Sequence, residues 1–145
     1  MINLDEASND NERLALSLFK AMEDGTLGEA IEKSCTEDFE WANSVLPTLE
    51  GKQAVLEHMA RGGFTTVIPI LKSMASFSAD LIHIASSGNV VFTERVDHHW
   101  DVDGRDLMTP HIAGVIEIRE GKVCALRDFY DTICYQQEPG EPDPA

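Results

Sequence analysis

The sequence predicts an α+β fold in which helices come first and a curved, mixed to antiparallel sheet then wraps around them. Three observations carry that prediction. Apolar residues recur at helical spacing only before Gly62-Gly63. From Ser73 onward they alternate with polar ones, as half-buried strands do. Glycine-centred turn signals separate those alternating runs. A sheet curved around the helices makes a cone with a pocket at its centre.

Leu14, Leu18, Phe19 and Met22 form one apolar stripe, with Asn9 and Glu12 as a capping pair before it and Gly25 as its stop. A second short helix is expected over Leu27–Ser34, a short strand over 39–43 and a loop over 47–51. Ala54, Val55, Leu56 and Met59 predict a third helix that breaks at Gly62-Gly63. Pro69 argues against a continuous helix over 64–71, because proline lacks the backbone donor and clashes with the preceding turn. Leu81, Ile82 and Ile84 then lead to a Ser86-Ser87-Gly88-Asn89 turn. Strands over 90–101 and 107–119 are joined by Asp103-Gly104, a two-residue hairpin signal. Glu120-Gly121 leads into a last strand over 123–131. Residues 1–135 are expected to form one domain, and 136–145, with Pro139, Pro142 and Pro144, a disordered tail.

Charge narrows the function. Of 145 residues, 26 are Asp or Glu against 11 Lys or Arg, a formal net charge of -15. That field repels nucleic acid and anionic membranes, and no basic cluster offsets it. An uncharged or cationic substrate suits it better than an anion. The polar, acidic start reads as neither a secretory signal nor a transit peptide, and no apolar run has the length of a membrane helix. Cys35, Cys124 and Cys134 make an odd count with no C-x-x-C pair, so buried free thiols in a reducing cytoplasm are expected.

The chemistry-bearing residues lie on the strands. Alternation puts Arg95 and Asp97 on one face with Val91 and Thr93, and Glu94 on the other with Phe92 and Val96. Leu126, Asp128 and Tyr130 share one face of the last strand, with Arg127, Phe129 and Asp131 on the opposite one. Two carboxylates flanking an arginine would form a charged cluster in an apolar sheet; the plain alternative is a solvated charge ladder. Parity adds a condition. If both glycine turns were plain two-residue turns, Arg95 would share a face with Arg127 and not with Asp128. A glycine bulge at Gly121 shifts the pairing by one residue and brings Asp128 to Arg95.

Thr93-Glu94-Arg95-Val96-Asp97 followed by Arg127-Asp128-Phe129-Tyr130-Asp131 resembles the signature of limonene-1,2-epoxide hydrolases, a family within the cystatin-like cone superfamily of nuclear-transport-factor-like, SnoaL-like and ketosteroid-isomerase-like proteins. Glu120-Gly121-Lys122 and Gly51-Lys52-Gln53-Ala54-Val55 fit as well, and Trp41-Ala42-Asn43 stands where the family has Tyr-x-Asn. The resemblance spans about residue 10 to residue 135. It implies hydrolysis of a small apolar epoxide to a vicinal diol by direct water attack, without metal or cofactor. In it, Asp128 is the base, Asn43 accepts the water's other hydrogen, Asp97 is the acid and Arg95 lies between the carboxylates. Two nearby carboxylates disfavour double ionisation, which suits such a push–pull pair.

Trp41 departs from the pattern, since indole N–H only donates where a tyrosine hydroxyl also accepts. The stretch from Gly62-Gly63 to Lys72 is longer than the family's. The same-face rule and the resemblance together give Leu71, Met74, Ile112, Ile116 and Tyr130 as substrate-binding candidates. A homodimer through the sheet is implied too. His98 and His99 point to opposite faces and cannot share a metal, and His83 and His111 lack motif partners. The 101–106 run of aspartates lacks the length and closing glutamate of a calcium loop. Two other readings remain: an isomerase, dehydratase or cyclase on the same cone, and a non-catalytic small-ligand-binding module.

Overall fold

The computed structural model describes residues 1–136; positions 137–145, nearly all of the expected tail, lie outside the described residues. Gln136 itself closes a 3₁₀ turn, Thr132–Gln136. Three helices, α1 (Asp10–Asp24), α2 (Leu27–Ser34) and α3 (Lys52–Ala60), pack into a six-stranded sheet. Its strands are β1 (Cys35–Asn43), β2 (Leu49–Glu50), β3 (Ser76–Ser87), β4 (Val90–Trp100), β5 (His111–Arg119) and β6 (Lys122–Phe129). The order is β2-β1-β6-β5-β4-β3, with β1 and β6 parallel and every other pair antiparallel. The sheet is curved, unclosed and mixed, the predicted α+β cone. Among the described residues no helix is long and apolar enough to cross a membrane.

Local chemistry sets the helix ends. The Asn9 side chain accepts from the Glu12 amide at 2.9 Å, and Gly25 ends α1 in the left-handed region at φ 75°. Glu12 is buried because its carboxylate also accepts from the Ser8 amide and, at 2.6 Å, from the Ser86 hydroxyl. One side chain thus caps α1 and ties it to the β3–β4 turn. Leu16, Leu18 and Phe19 face inward from α1 and pack in one core with Phe39, Val91 and Leu126. Fully burying each such side chain contributes roughly 1.5–3 kcal/mol. A second, smaller cluster gathers Ile68, Leu71, Leu107, Met108 and Cys134.

Five expectations need correcting. The first strand begins at Cys35 rather than at residue 39, and Leu49–Glu50 inside the expected 47–51 loop pairs with it. Asp103-Gly104 is not a bare two-residue connection. Asp101 caps its own turn, accepting the amides of Asp103 and Arg105 at 2.9 Å, and after a single bridge of Trp100 with Asp106 the pairing lapses until His111. Pro110 cannot donate to the ladder, and Leu107 and Met108 turn into the second cluster. The last strand ends at Phe129. Finally, Glu120-Gly121 is a plain turn with Arg119 opposite Lys122, and the bulge lies further on. Ile118 pairs with Val123 but Glu117 with Ala125, so Cys124 is the extra residue. The expected one-residue shift occurs, three positions after the expected glycine.

Candidate active site

Along β4 the buried residues are Val91, Thr93, Arg95, Asp97 and His99, every second side chain. Arg95 is among the largest fully buried side chains of the molecule. A guanidinium tolerates that only when its donors are used. Nε and Nη2 donate to the two Asp97 oxygens at 2.9 and 3.2 Å, while Nη1 and Nη2 donate to the two Asp128 oxygens at 3.1 and 2.6 Å. Nη1 also reaches the Thr93 hydroxyl at 3.3 Å. The Phe19 ring of α1 lies beneath, 4.0 Å from the guanidinium carbon, a cation–π contact that closes the remaining side.

The bulge at Cys124 puts Gly114 opposite Asp128, and Gly114 also pairs with Thr93. A Cβ at Gly114 would stand 2.7 Å from Arg95 Nη1 and from Thr93 Oγ1, and 3.0 Å from Asp128 Oδ1. The glycine is the floor on which the arginine and Asp128 meet. Across the parallel ladder Asn43 is the register partner of Asp128, so their side chains stand side by side on the inner face.

Burial pushes the Asp97 carboxyl up to about 6, with Arg95 opposing the shift and the Asp128 charge adding to it. Burial alone would lower the Arg95 pKa, but the Asp128 and Asp97 charges outweigh it and hold the guanidinium above its ordinary value. Asp128, like Asp97, presents both of its oxygens to the arginine. The cluster therefore places a carboxyl that holds its proton more tightly than usual beside a second carboxyl on the same arginine.

These groups open on a cavity of about 300 Å³ whose lining includes Trp41, Asn43, Arg95, Asp97 and Asp128. Of the expected substrate-binding residues, Leu71, Met74, Ile112 and Tyr130 line it. Ile116 does not. It pairs with Val91 and Leu126 in the main core, beyond Gly114, and the buried Arg95 cluster shuts it off from the cavity. His58, Phe64 and Phe77 line the cavity without a local signal in the sequence, whereas His99 lines it on the same alternating face as Arg95 and Asp97. Phe64 stands edge-on to Trp41, with ring centroids 5.0 Å apart, and packs on His58 at 5.5 Å. Trp41 Nε1 and His58 Nε2 are buried without a hydrogen-bond partner among the described residues.

Tyr130 has a second set of contacts. Its hydroxyl lies 3.2 Å from the Asn43 amide oxygen and 2.5 Å from the Tyr135 hydroxyl, which lies 3.2 Å from the Ser44 carbonyl oxygen. Two phenol protons cannot serve three contacts. The chain closes when Tyr135 donates to Ser44, Tyr130 donates to Tyr135, and the Asn43 amide turns so that Nδ2 donates to Tyr130. Tyr135 belongs to the same constellation through tertiary packing alone.

Elsewhere, His98 lies between Asp106 and Asp80, at 2.6 and 2.8 Å, on the other face from His99. Cys35, Cys124 and Cys134 are free, with Cys124 half-buried and the other two buried.

Comparison with known proteins accords with this geometry. The model of the limonene-1,2-epoxide hydrolase catalytic domain matches residues 9–137. Among solved structures, an LEH-like epoxide hydrolase of M. tuberculosis superposes with a TM-score of 0.69 at 17% identity, covering 88% of this chain and 86% of that one. A putative SnoaL-like polyketide cyclase from Jannaschia sp. CCS1 gives 0.67 at 14% identity, covering 88% and 89%. An NTF2-like protein of unknown function from Cytophaga hutchinsonii gives 0.65 at 16% identity, covering 88% and 95%. At these identities the superpositions speak for the fold, and the family model speaks for the lineage. The chain belongs to the limonene-1,2-epoxide hydrolase family.

Proposed function

We propose that this protein is an epoxide hydrolase, an ether-bond hydrolase that converts an apolar, cyclic or terpenoid epoxide to a vicinal diol in one step. The observation that carries the reading is the pair of carboxylates clamped by Arg95 in an otherwise largely apolar cavity. In the proposed reaction Asp128 removes a proton from a bound water, and the water oxygen forms the new bond to one epoxide carbon. The carbon–oxygen bond of the ring breaks, and Asp97 gives its proton to the departing oxygen. Two hydroxyls result, and a proton must pass from Asp128 back to Asp97 to reset the pair. No metal or cofactor enters the scheme.

Asn43 Oδ1 accepts the water's second hydrogen in this reading, which its place beside Asp128 on the parallel ladder supports. Trp41, two residues earlier on the same face, carries a buried N–H without a partner, which supports its donating to the same water. Leu71, Met74, Ile112 and Tyr130 contact the hydrocarbon part of the substrate.

The test is diol formation from limonene oxide, cyclohexene oxide, styrene oxide and a steroid epoxide in oxygen-labelled water. One label enters the diol on the first turnover of the wild type. Asp128→Asn keeps its circular dichroism but loses about 10²–10⁴-fold in rate, the range for a positioned proton-transfer group. Wild-type activity in that variant sinks the assignment.

Trp41 favours a second reading, an isomerase, dehydratase or cyclase acting on a steroid-like or polyketide substrate, since the tryptophan cannot accept a hydrogen bond as the family's tyrosine can. A double-bond shift in an enone, with no diol from any epoxide, would establish it. Ile82, Phe92 and Phe129 are exposed on the outer sheet face, which supports a homodimer through that face. A monomer by light scattering would contradict this. The three free thiols support a cytoplasmic location.

A further inference from the structure

β4 carries one more polar side chain into the cavity, two residues beyond Asp97. His99 is 9% exposed and lines the cavity beside Phe77, with ring centroids 5.5 Å apart. Its Nδ1 lies 2.8 Å from the Met108 carbonyl oxygen. A carbonyl only accepts, so Nδ1 holds the proton and donates. Burial lowers the imidazole pKa, against the pull of that carbonyl, and the neutral ring keeps a bare lone pair on Nε2. No described residue donates to Nε2. The neighbouring lining is apolar: Met74, Phe77, Met108 and Ile112. Nε2 opens on the cavity rather than being sealed within the protein, and an acceptor facing apolar walls favours a ligand that supplies a donor.

We propose that His99 Nε2 is a second polar anchor in the cavity and accepts a hydrogen bond from a hydroxyl on the substrate, so that the preferred substrate is an apolar epoxide that also bears an alcohol. The inference rests on the epoxide-hydrolase reading and narrows it. Same-face neighbours on a strand stand on the order of 7 Å apart. The hydroxyl therefore lies a few carbons from the epoxide oxygen that Asp97 protonates. An alcohol fits better than an ammonium. With Asp97 protonated, Arg95 and Asp128 cancel, and no surplus negative charge remains to hold a desolvated cation.

The experiment compares cyclohexene oxide with its 4-hydroxymethyl derivative. Wild type favours the alcohol at least about tenfold in kcat/KM. His99→Leu brings the ratio to within about twofold, whereas His99→Gln, whose amide oxygen accepts, keeps part of the preference. Equal use of the two epoxides by wild type, or an unchanged ratio in His99→Leu, overturns the proposal. A second measurement needs no turnover and no variant. Titrating wild type with cyclohexylmethanol moves the nitrogen chemical shift of His99 Nε2, and methylcyclohexane does not. An Nε2 signal that stays fixed while the cavity methyls respond to the alcohol overturns the proposal. Should no epoxide be hydrolysed, the titration still decides the subsite, and the failure then belongs to the reaction assignment alone.

Discussion

Two arginines, each held between two carboxylates, lie on opposite faces of the same sheet. Arg95 meets Asp97 and Asp128 on the inner face, with side-chain exposures of 1%, 7% and 6%. Arg127, one residue before Asp128, meets Glu40 and Glu117 on the outer face, with exposures of 28%, 37% and 41%. The partners are alike in type and number. What differs is water. Outside, solvent screens the charges and stands ready to replace either partner. Inside, each charge depends on its neighbours, and burial separates the proton affinities that a push–pull reaction needs. The same triad is a surface ornament on one face and a candidate reaction centre on the other.

Removing the arginines sharpens that contrast most. Arg95→Met leaves buried carboxylates without their partner and is expected to cost about 3–5 kcal/mol in urea unfolding. Arg127→Met is expected to cost at most about 1 kcal/mol. Equal losses would break the comparison.

Next in size is the pH response of the inner face. Asp97 must be protonated to act as the acid, and its carboxyl is pushed up to about 6. Turnover should therefore fall about tenfold per pH unit on the alkaline side of that value. Stability has the same sign. The folded state holds this proton more tightly than the unfolded chain, so its contribution declines as pH rises from the ordinary 3.8 through about 6. A rate that climbs through that window would remove Asp97 from the acid's role.

Gly114→Ala probes the same cluster through its floor. The added methyl meets Arg95, Thr93 and Asp128 at 2.7–3.0 Å, and none of the three is free to swing away. Overpacking of this kind costs about 1–3 kcal/mol, and diol formation should fall with it. The smallest effect belongs to salt: raising ionic strength to 1 M should weaken the Arg127 pairs and leave the Arg95 pairs almost unchanged. Double-mutant cycles on the two arginines at low and high salt would register the difference.

Features set by neighbours along the chain were legible in the sequence. Asn9, Glu12 and Gly25 bound α1 because capping is local, and the β4 alternation sorted Arg95 and Asp97 from Glu94 because a strand has period two. The need for a one-residue shift in the last hairpin also followed from parity. Its position did not, since glycine at Gly121 served the turn and the bulge fell on Cys124, a residue with no intrinsic preference for it. Ile116 shared the right face but lay past the point where Arg95 fills the space, and a face assignment carries no depth. Gly114 and Tyr135 owe their places to cross-strand and loop packing, which no local pattern records, while His99 lay on the legible face of β4 and lacked only a motif to single it out. The lapse of the ladder before His111 likewise depended on where Leu107 and Met108 found a cluster to join.

The bulge at Cys124 makes the chemistry depend on a count of residues rather than on their kinds. Insert one position between the Glu120-Gly121 turn and Ala125 while the bulge keeps its single extra residue, and Arg127 would face Arg95 in the dry interior while Asp128 joined Glu40 and Glu117 in water. Cys124 can therefore drift in identity across a lineage, and its loss would only straighten the strand with Asp128 still opposite Gly114, whereas an added codon would exchange the two faces. Anyone grafting a new turn there must preserve its odd or even length.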